Sequence, residues 1–235
     1  MPDQRAHRGA HPEDDALFAP AVLPALREAV LELSWLLSRG YSEASALKLV
    51  GDRHALRARQ RMAVLRSACT DAQRALRLAR ALSLDAIADR EIDVDGFNAL
   101  IVTESALSGG LVLAGRDGAH RDLASVHGTW RRVSETAEAI DALGALLAPA
   151  RVVRWWLDRP VGNSGRLRAL LAERAEQHGW PWEIDLVDAP DRVLAVSSHV
   201  VATADAWILD RAEAWIDLPG VIARARGAWR VDLAF

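Results

Sequence analysis

Three aspartates each close a short apolar run, and a fourth stands between two of these runs. Asp95 follows Ile92–Val94, Asp158 follows Val152–Leu157, and Asp205 comes just after Val200–Ala202. Asp191, with Asp188 close by, precedes the last run and can open a helix towards the same side. Apolar runs of this length read as buried strands, and in parallel sheets ligands gather at the carboxyl ends of the strands. Carboxylates collected there repel one another unless a cation neutralises them. Oxygen donors suit hard divalent ions, so the expected cofactor is Mg²⁺ or Mn²⁺, which keeps waters available for chemistry. Such a site can activate water and stabilise in-line displacement at a phosphodiester. Any one of these aspartates alone is an ordinary cap or turn residue. The set is what points to metal, with Asp95, Asp158 and Asp205 as the ligands.

The elements that must position these residues follow from periodicity. Residues 1–20 carry Pro, His, Asp and Glu without a period and are expected to form a disordered tail. Leu26, Val30, Leu33 and Leu37 then recur at helical spacing and Gly40 stops that helix. Ser42 caps a second helix that Gly51 closes, a third runs from about Leu56 to Cys69, and a fourth from Asp71 to Leu82. Short helix, glycine turn and arginine-bearing helix outline a helix-turn-helix over residues 21–85, with plain packing or dimerisation as the open alternative. From Glu91 the period changes. Ile92–Val94 and Ala99–Val102 flank a turn at Asp95-Gly96, and a Gly-rich hairpin spans Ser108 to Gly118. Strands at Val152–Leu157, Trp182–Val187 and Val200–Ala202 alternate with helices ending near Leu147, His178 and Ala214. Short strands are added near Ile216–Leu218 and Val231. This is an α/β fold, a Rossmann-like, mostly parallel sheet with flanking helices over residues 90–235, preceded by a small all-α module.

Charge is divided between the two halves. Arg39 to Arg80 holds ten basic residues against three acids, whereas Glu91 to Phe235 holds 15 Arg against 21 Asp and Glu. A basic module meeting a polyanion, joined to an acidic one holding cations, expects nucleic acid, RNA in the first place, as the partner; Arg57 and Arg61 are its candidate phosphate contacts. Cys69 is the only cysteine, which excludes an internal disulfide and any site built on several thiolates. There is no apolar run long enough to span a bilayer and no secretory h-region at the start, so a cytoplasmic location without membrane attachment is expected.

A loop after the second strand has its own chemistry. Asp158-Arg159-Pro160-Val161-Gly162-Asn163-Ser164-Gly165-Arg166 precedes a helix, and backbone N–H groups at a helix N-terminus bind anions. Arg159 and Arg166 can clamp a phosphate, with Asn163 and Ser164 lining it. An N-capped loop with solvent-facing arginines is the plain alternative. His120 and His127 are too far apart for a helical metal pair, and the nine tryptophans read mostly as core or interface residues, although Trp130 or Trp207 could stack on a base.

Val94-Asp95-Gly96-Phe97-Asn98 resembles the opening strand of PIN-like and NYN-type ribonucleases, and Val201-Ala202-Thr203-Ala204-Asp205 resembles their later strand. The resemblance implies a metal-dependent nuclease in which Asp95, Asp158, Asp191 and Asp205 ligate the ion and Asn98 orients the first acid or a water, with Thr203 of the later strand as a secondary candidate. A further acid is implied from the region of the hairpin, with Glu104, Asp117 and Asp122 all open. The hairpin itself departs from the pattern, because it stands where a helix directly after the first strand is expected. Over the whole chain, Gly40-Tyr41, Ser45–Arg53, Asp117-Gly118, Arg121-Asp122, His127-Gly128-Thr129, Asp158-Arg159-Pro160 and Asn163–Arg166 resemble an uncharacterised prokaryotic domain-of-unknown-function family. Asp93-Val94-Asp95-Gly96 also resembles the opening of haloacid-dehalogenase-type phosphatases, which would make Asp93 a nucleophile. No lysine follows to stabilise its phosphoryl intermediate. The expectations are therefore a metal-dependent ribonuclease first, a non-catalytic nucleic-acid-binding or regulatory protein second, and a phosphatase third, with a homodimer among the possible assemblies.

Overall fold

The structure is a computed structural model that describes residues 7–123 and 128–234. Within the expected tail, Asp14–Leu17 forms a helix, α1. Phe18 is buried in the core behind it, and buried Asp14 pairs with Arg59. Arg8 likewise pairs with buried Glu104. Residues 7–20 therefore dock rather than trail, because one aromatic and two charge pairs anchor a stretch that has no periodicity to reveal it. Residues 1–6 lie outside the described residues.

Helices α2 (Leu23–Ser38), α3 (Glu43–Arg53), α4 (Ala58–Ser67) and α5 (Asp71–Arg80) follow. Ser42 caps α3 as its sequence expects, accepting from the Ser45 N–H. Gly51 does not end α3. It lies inside it because Arg61 crosses there: a Cβ at Gly51 would come within 2.2 Å of the Arg61 Nη1. Leu26, Ala29, Val30 and Leu33 of α2 pack on Ala46, Val50, Ala63 and Val64. The same core takes in Leu111, Leu113, Leu123, Val231 and Leu233 from a small second sheet. The helical module therefore shares its core with the chain that follows it, down to the C-terminal strand.

Strand β1 (Glu91–Asp95) runs directly into helix α6 (Gly96–Leu107), capped by the Asp95 side chain. Reading Ala99–Val102 as strand thus fails, and so does the apparent departure at the hairpin. Almost every residue of α6 is buried. A helix that is apolar on all sides carries no 3.6-residue signal and reads as a strand. Strands β2 (Val112–Ala114) and β3 (His120–Asp122) form the hairpin, which follows α6. Then come α7 (Thr136–Leu147), β4 (Val152–Asp158), α8 (Ser164–His178), β5 (Trp182–Val187), α9 (Pro190–Leu194) and β6 (Val200–Ala202). Helix α10 (Ala206–Leu209) is shorter than expected, since the chain turns into β7 (Ala214–Ile216) before α11 (Leu218–Ala225) and β8 (Arg230–Asp232). None of the helices of the described residues is long and apolar enough to cross a membrane.

The main sheet has the order β5-β4-β1-β6-β7 and is parallel throughout. Ile92, Val94, Val153, Trp155 and Leu157 point into one core with Leu100, Ile140, Leu143, Leu167 and Leu171. Alternation sends Asp93, Asp95 and Trp156 to the other face, where Val201 and Trp156 meet Leu194 of α9 and Ile208 of α10. The hairpin and β8 form the second sheet, with order β3-β2-β8. The strand order switches at β1: β4 and β5 are added on one side of it, β6 and β7 on the other. The crevice of such a sheet opens at that switch point, at the carboxyl ends of β1 and β6.

Candidate functional site

Asp95 ends β1 at this switch point and is buried. Its Oδ2 accepts from the Thr203 hydroxyl at 2.8 Å and its Oδ1 from the Asn98 N–H at 3.4 Å. Thr203 also accepts from the Asp205 N–H at 3.1 Å. The Asn98 side chain takes the Ala204 N–H at 2.9 Å, so it ties the β6 loop to α6 instead of facing a water. Asp205 caps α10, accepting the N–H groups of Trp207 at 2.8 Å and Ile208 at 3.0 Å through Oδ1.

These bonds do not balance the electrostatics. Burial first, and then the charges of Asp205 and Asp191, push the Asp95 carboxyl from 3.8 up to about 7, against the lowering effect of Thr203. Burial and Asp191 raise Asp158, and burial and Asp205 raise Asp191. The four aspartates therefore sense one another along one edge. None has a salt-bridge partner among the described residues. Even so, no three acidic, histidine or cysteine groups of the described residues stand close enough to enclose an ion as they are placed. Carboxylate oxygens are the donors that hard divalent cations take, one or two from the protein and the rest from water or substrate. The four aspartates do not form a closed protein cage.

Substituting Thr203 by Val removes the hydroxyl that lowers Asp95, and with it the acceptor of the Asp205 N–H. The Asp95 carboxyl is expected to titrate above about 7 in this variant. Carboxyl-carbon NMR titration of both proteins checks it, and an unchanged midpoint would remove Thr203 from the control of Asp95.

The other expected residues fall elsewhere. Glu104 lies nine residues along α6, about 13 Å from Asp95 by helical rise. It is buried between Arg8 and the Thr136 hydroxyl, which donates to it at 2.6 Å. Asp122 is in the small sheet beside Arg66, and Asp117 is enclosed by Arg77 and Arg121. All three acids of the hairpin region are thus structural, because α6 carries the chain away from the edge before they occur. Helix α4 does not present an open basic face. Arg59 pairs with Asp14, and Arg61 with Asp52 at 2.7 Å while also donating to the Leu56 carbonyl. These two arginines are thus taken up, Arg59 by Asp14 of α1 and Arg61 by Asp52 of α3. Arg57 remains exposed, 4.0 Å from Glu13.

In the loop after β4, Thr129 bridges to Gly162, and Asn163 adopts a left-handed conformation and donates to the Trp130 carbonyl at 3.0 Å. The Ser164 hydroxyl donates to the Arg159 carbonyl at 3.3 Å. Asn163 and Ser164 thus shape the loop rather than line a phosphate, and Arg159 donates to the Leu186 carbonyl at 2.6 Å. The Arg166 side chain makes no hydrogen bond or ion pair among the described residues, and neither does that of Arg192, the neighbour of Asp191 on α9. Arg192 is the residue that the sequence left unnoticed; its position next to Asp191 is the only local sign. Trp130 is buried in the core, whereas Trp207 stands exposed beside Asp205 with the Arg211 guanidinium 4.0 Å over its ring. His127 lies outside the described residues. Burial drives the Cys69 thiol up to about 11 and it offers no ligand.

Asp93 sits mid-strand and only 3% exposed. It accepts from the Trp156 indole at 3.1 Å, from Ser197 at 2.5 Å, and lies 3.1 Å from the His199 ring.

Compared with known proteins, residues 84–221 match a family described as a domain of unknown function, DUF5616. Residues 25–80 match a second one, described as protein of unknown function DUF434. The uncharacterized protein MJ0935 of Methanocaldococcus jannaschii is 26% identical over 186 residues, which is 79% of this chain and 89% of that protein. No solved structure matches the chain significantly.

Proposed function

We propose that this chain, which belongs to the DUF5616 family, is a metal-dependent nuclease that hydrolyses RNA phosphodiesters at the acidic edge formed by Asp95, Asp158, Asp191 and Asp205. The observation that carries the proposal is the buried Asp95 at the switch point, held above the ordinary carboxylate range by burial and by the charges of Asp205 and Asp191. Protein folding leaves a cluster of that kind only at a cost, and a divalent cation removes it. Bound Mg²⁺ or Mn²⁺ would polarise the phosphodiester and provide water for the attack. The chain's own residues do the rest. Thr203 and the Asn98 backbone hold the Asp95 oxygens in place, and Asp205 is fixed by its cap. Arg166 and Arg192 flank the edge as unpaired cations for the substrate phosphates, and Trp207 offers a face on which an unpaired base stacks.

Asp93 is a poor nucleophile in this setting: both its oxygens are engaged and it lies below the edge, which is why a phosphatase is not proposed. A binding protein without turnover is kept as an outcome of the test. Single-stranded and structured RNAs are incubated with the protein and Mg²⁺ or Mn²⁺. Cleavage that chelation stops is expected. Arg166→Ala and Arg192→Ala are each expected to weaken RNA binding evenly across sequences and to reduce the salt slope by about 1. Salt-sensitive binding without cleavage would transfer the assignment to a binding protein, and no binding at low salt would remove nucleic acid as the partner.

A further inference from the structure

The outer face of α2 is at odds with a free surface. Leu31 and Trp35 stand exposed on it, Trp35 at 53%, with exposed Leu49 of α3 beside them at 61%. Between the two helices runs a groove of about 480 Å³ lined by Leu31, Trp35, Leu36, Leu49 and Val50 together with the Glu32–Arg53 ion pair. Contiguous apolar surface of this kind marks a contact site more often than open solvent. The groove lies on the helical module, away from the acidic edge, so nothing in the nuclease proposal uses it.

The sequence of the stripe says what covers it. Glu28, Leu31, Trp35 and Arg39 recur at spacings of 3, 4 and 4, which places them on one side of α2 and its C-cap. The stripe runs from an acid at one end, through two apolar residues, to a base at the other. Turned antiparallel about a point near residue 33, it complements itself: Leu31 meets Trp35 of a second copy, Trp35 meets Leu31, and Glu28 faces Arg39 at both ends. Self-complementarity of this order is the requirement of an isologous two-fold contact. Arg39 lies over one face of the Trp35 ring, 3.6 Å from guanidinium carbon to ring centroid, so the base stands next to the apolar pair. We infer that α2 is a homodimer interface, in which Leu31 and Trp35 of each chain enter the α2–α3 groove of a second copy and Glu28–Arg39 pairs close both ends.

Sedimentation equilibrium of the full chain, 25.6 kDa as a monomer, tests this over a concentration series. A dimer is expected. Trp35→Ala should raise its dissociation constant roughly 30-fold or more, as for a central aromatic anchor. Glu28→Arg and Arg39→Glu should each weaken it roughly tenfold, because two like-charge contacts replace two attractive ones. The double variant Glu28→Arg/Arg39→Glu restores opposite charges at both ends and should recover the dimer. All these positions are exposed, and circular dichroism confirms that the variants fold. A wild-type chain that stays monomeric overturns the inference. So does a dimer indifferent to Trp35→Ala, or one that the double charge exchange fails to recover.

Discussion

Replacing Asp95 by Asn is expected to abolish metal-dependent RNA cleavage, by roughly 1,000-fold or more, while making the protein more stable at pH 8. Both effects have one source. Burial and the nearby charges of Asp205 and Asp191 raise the Asp95 carboxyl from 3.8 to about 7 in the folded chain. Below pH 3.8 the group is protonated in both states and costs nothing. As pH rises from 3.8 to 7, the unfolded chain releases this proton before the folded one does, so stability is progressively lost. Above 7 the loss levels off, on the order of 4 kcal/mol at most. Asn carries no charge and avoids that loss. Its melting temperature should therefore exceed that of the wild type by roughly 5–10 °C at pH 8, with the gap closing towards pH 4. Added Mn²⁺ or Mg²⁺ should raise the melting temperature of the wild type at pH 8 and not that of Asp95→Asn, because binding to the folded state stabilises it by mass action. Thermal unfolding with and without the ion, at pH 4, 6 and 8, reads all of this independently of any substrate. A variant as active as wild type, or a wild type whose unfolding ignores both pH and ion, would remove Asp95 from the site. Asp93→Asn is the control: it should keep its cleavage, since Asp93 is engaged with Trp156, Ser197 and His199 below the edge.

Arg77→Met is expected to destabilise the protein by roughly 3–5 kcal/mol, the cost of removing one member of a buried ion network. Arg77 is 2% exposed. It donates to Asp117 at 2.7 Å, to Asp210 at 2.8 Å and to the Ala206 carbonyl at 3.1 Å. Asp117 is also gripped by Arg121, whose Nε donates to the Ala204 carbonyl at 2.7 Å. Burial alone would raise Asp117, but Arg121 and Arg77 more than offset it and hold the carboxyl at about 2. The network thus clamps the backbone at 204 and 206, on either side of Asp205, and joins α5 and the hairpin to the site. Urea unfolding should show the loss, and cleavage should fall with it although no residue of the edge is altered. Arg77→Lys should not rescue it, because a single ammonium cannot span three acceptors. Unchanged stability in Arg77→Met would show that Arg121 alone sustains the clamp.

Much of the fold is legible in the order of the residues. The strands ending at Asp95 and Asp158, the later strand before Asp205, the cap at Ser42 and the long helix after Asn163 all declare themselves locally, because a half-buried element repeats its apolar residues at its own period. The alternation of those elements is enough to derive a parallel sheet with its acids at one edge. Helix α6 is not legible, since burial on all sides erases the period. Neither is α1, which is anchored by Phe18 and by partners more than forty residues away.

By itself, then, the sequence determined the α/β class, the four strands β1, β4, β5 and β6 of the main sheet, and the aspartates at their ends. The tertiary structure alone decided which charges are free. Arg61 is a candidate phosphate contact in sequence and Arg59 and Arg77 add to the basic charge of the same module, yet Asp14, Asp52, Asp117 and Asp210 reach them in space and occupy them. Arg166, a candidate phosphate contact in sequence, and Arg192, which the sequence left unnoticed, are without side-chain partners among the described residues. A charge announces its sign in the sequence, but its availability depends on which opposite charge the fold brings within a few ångströms.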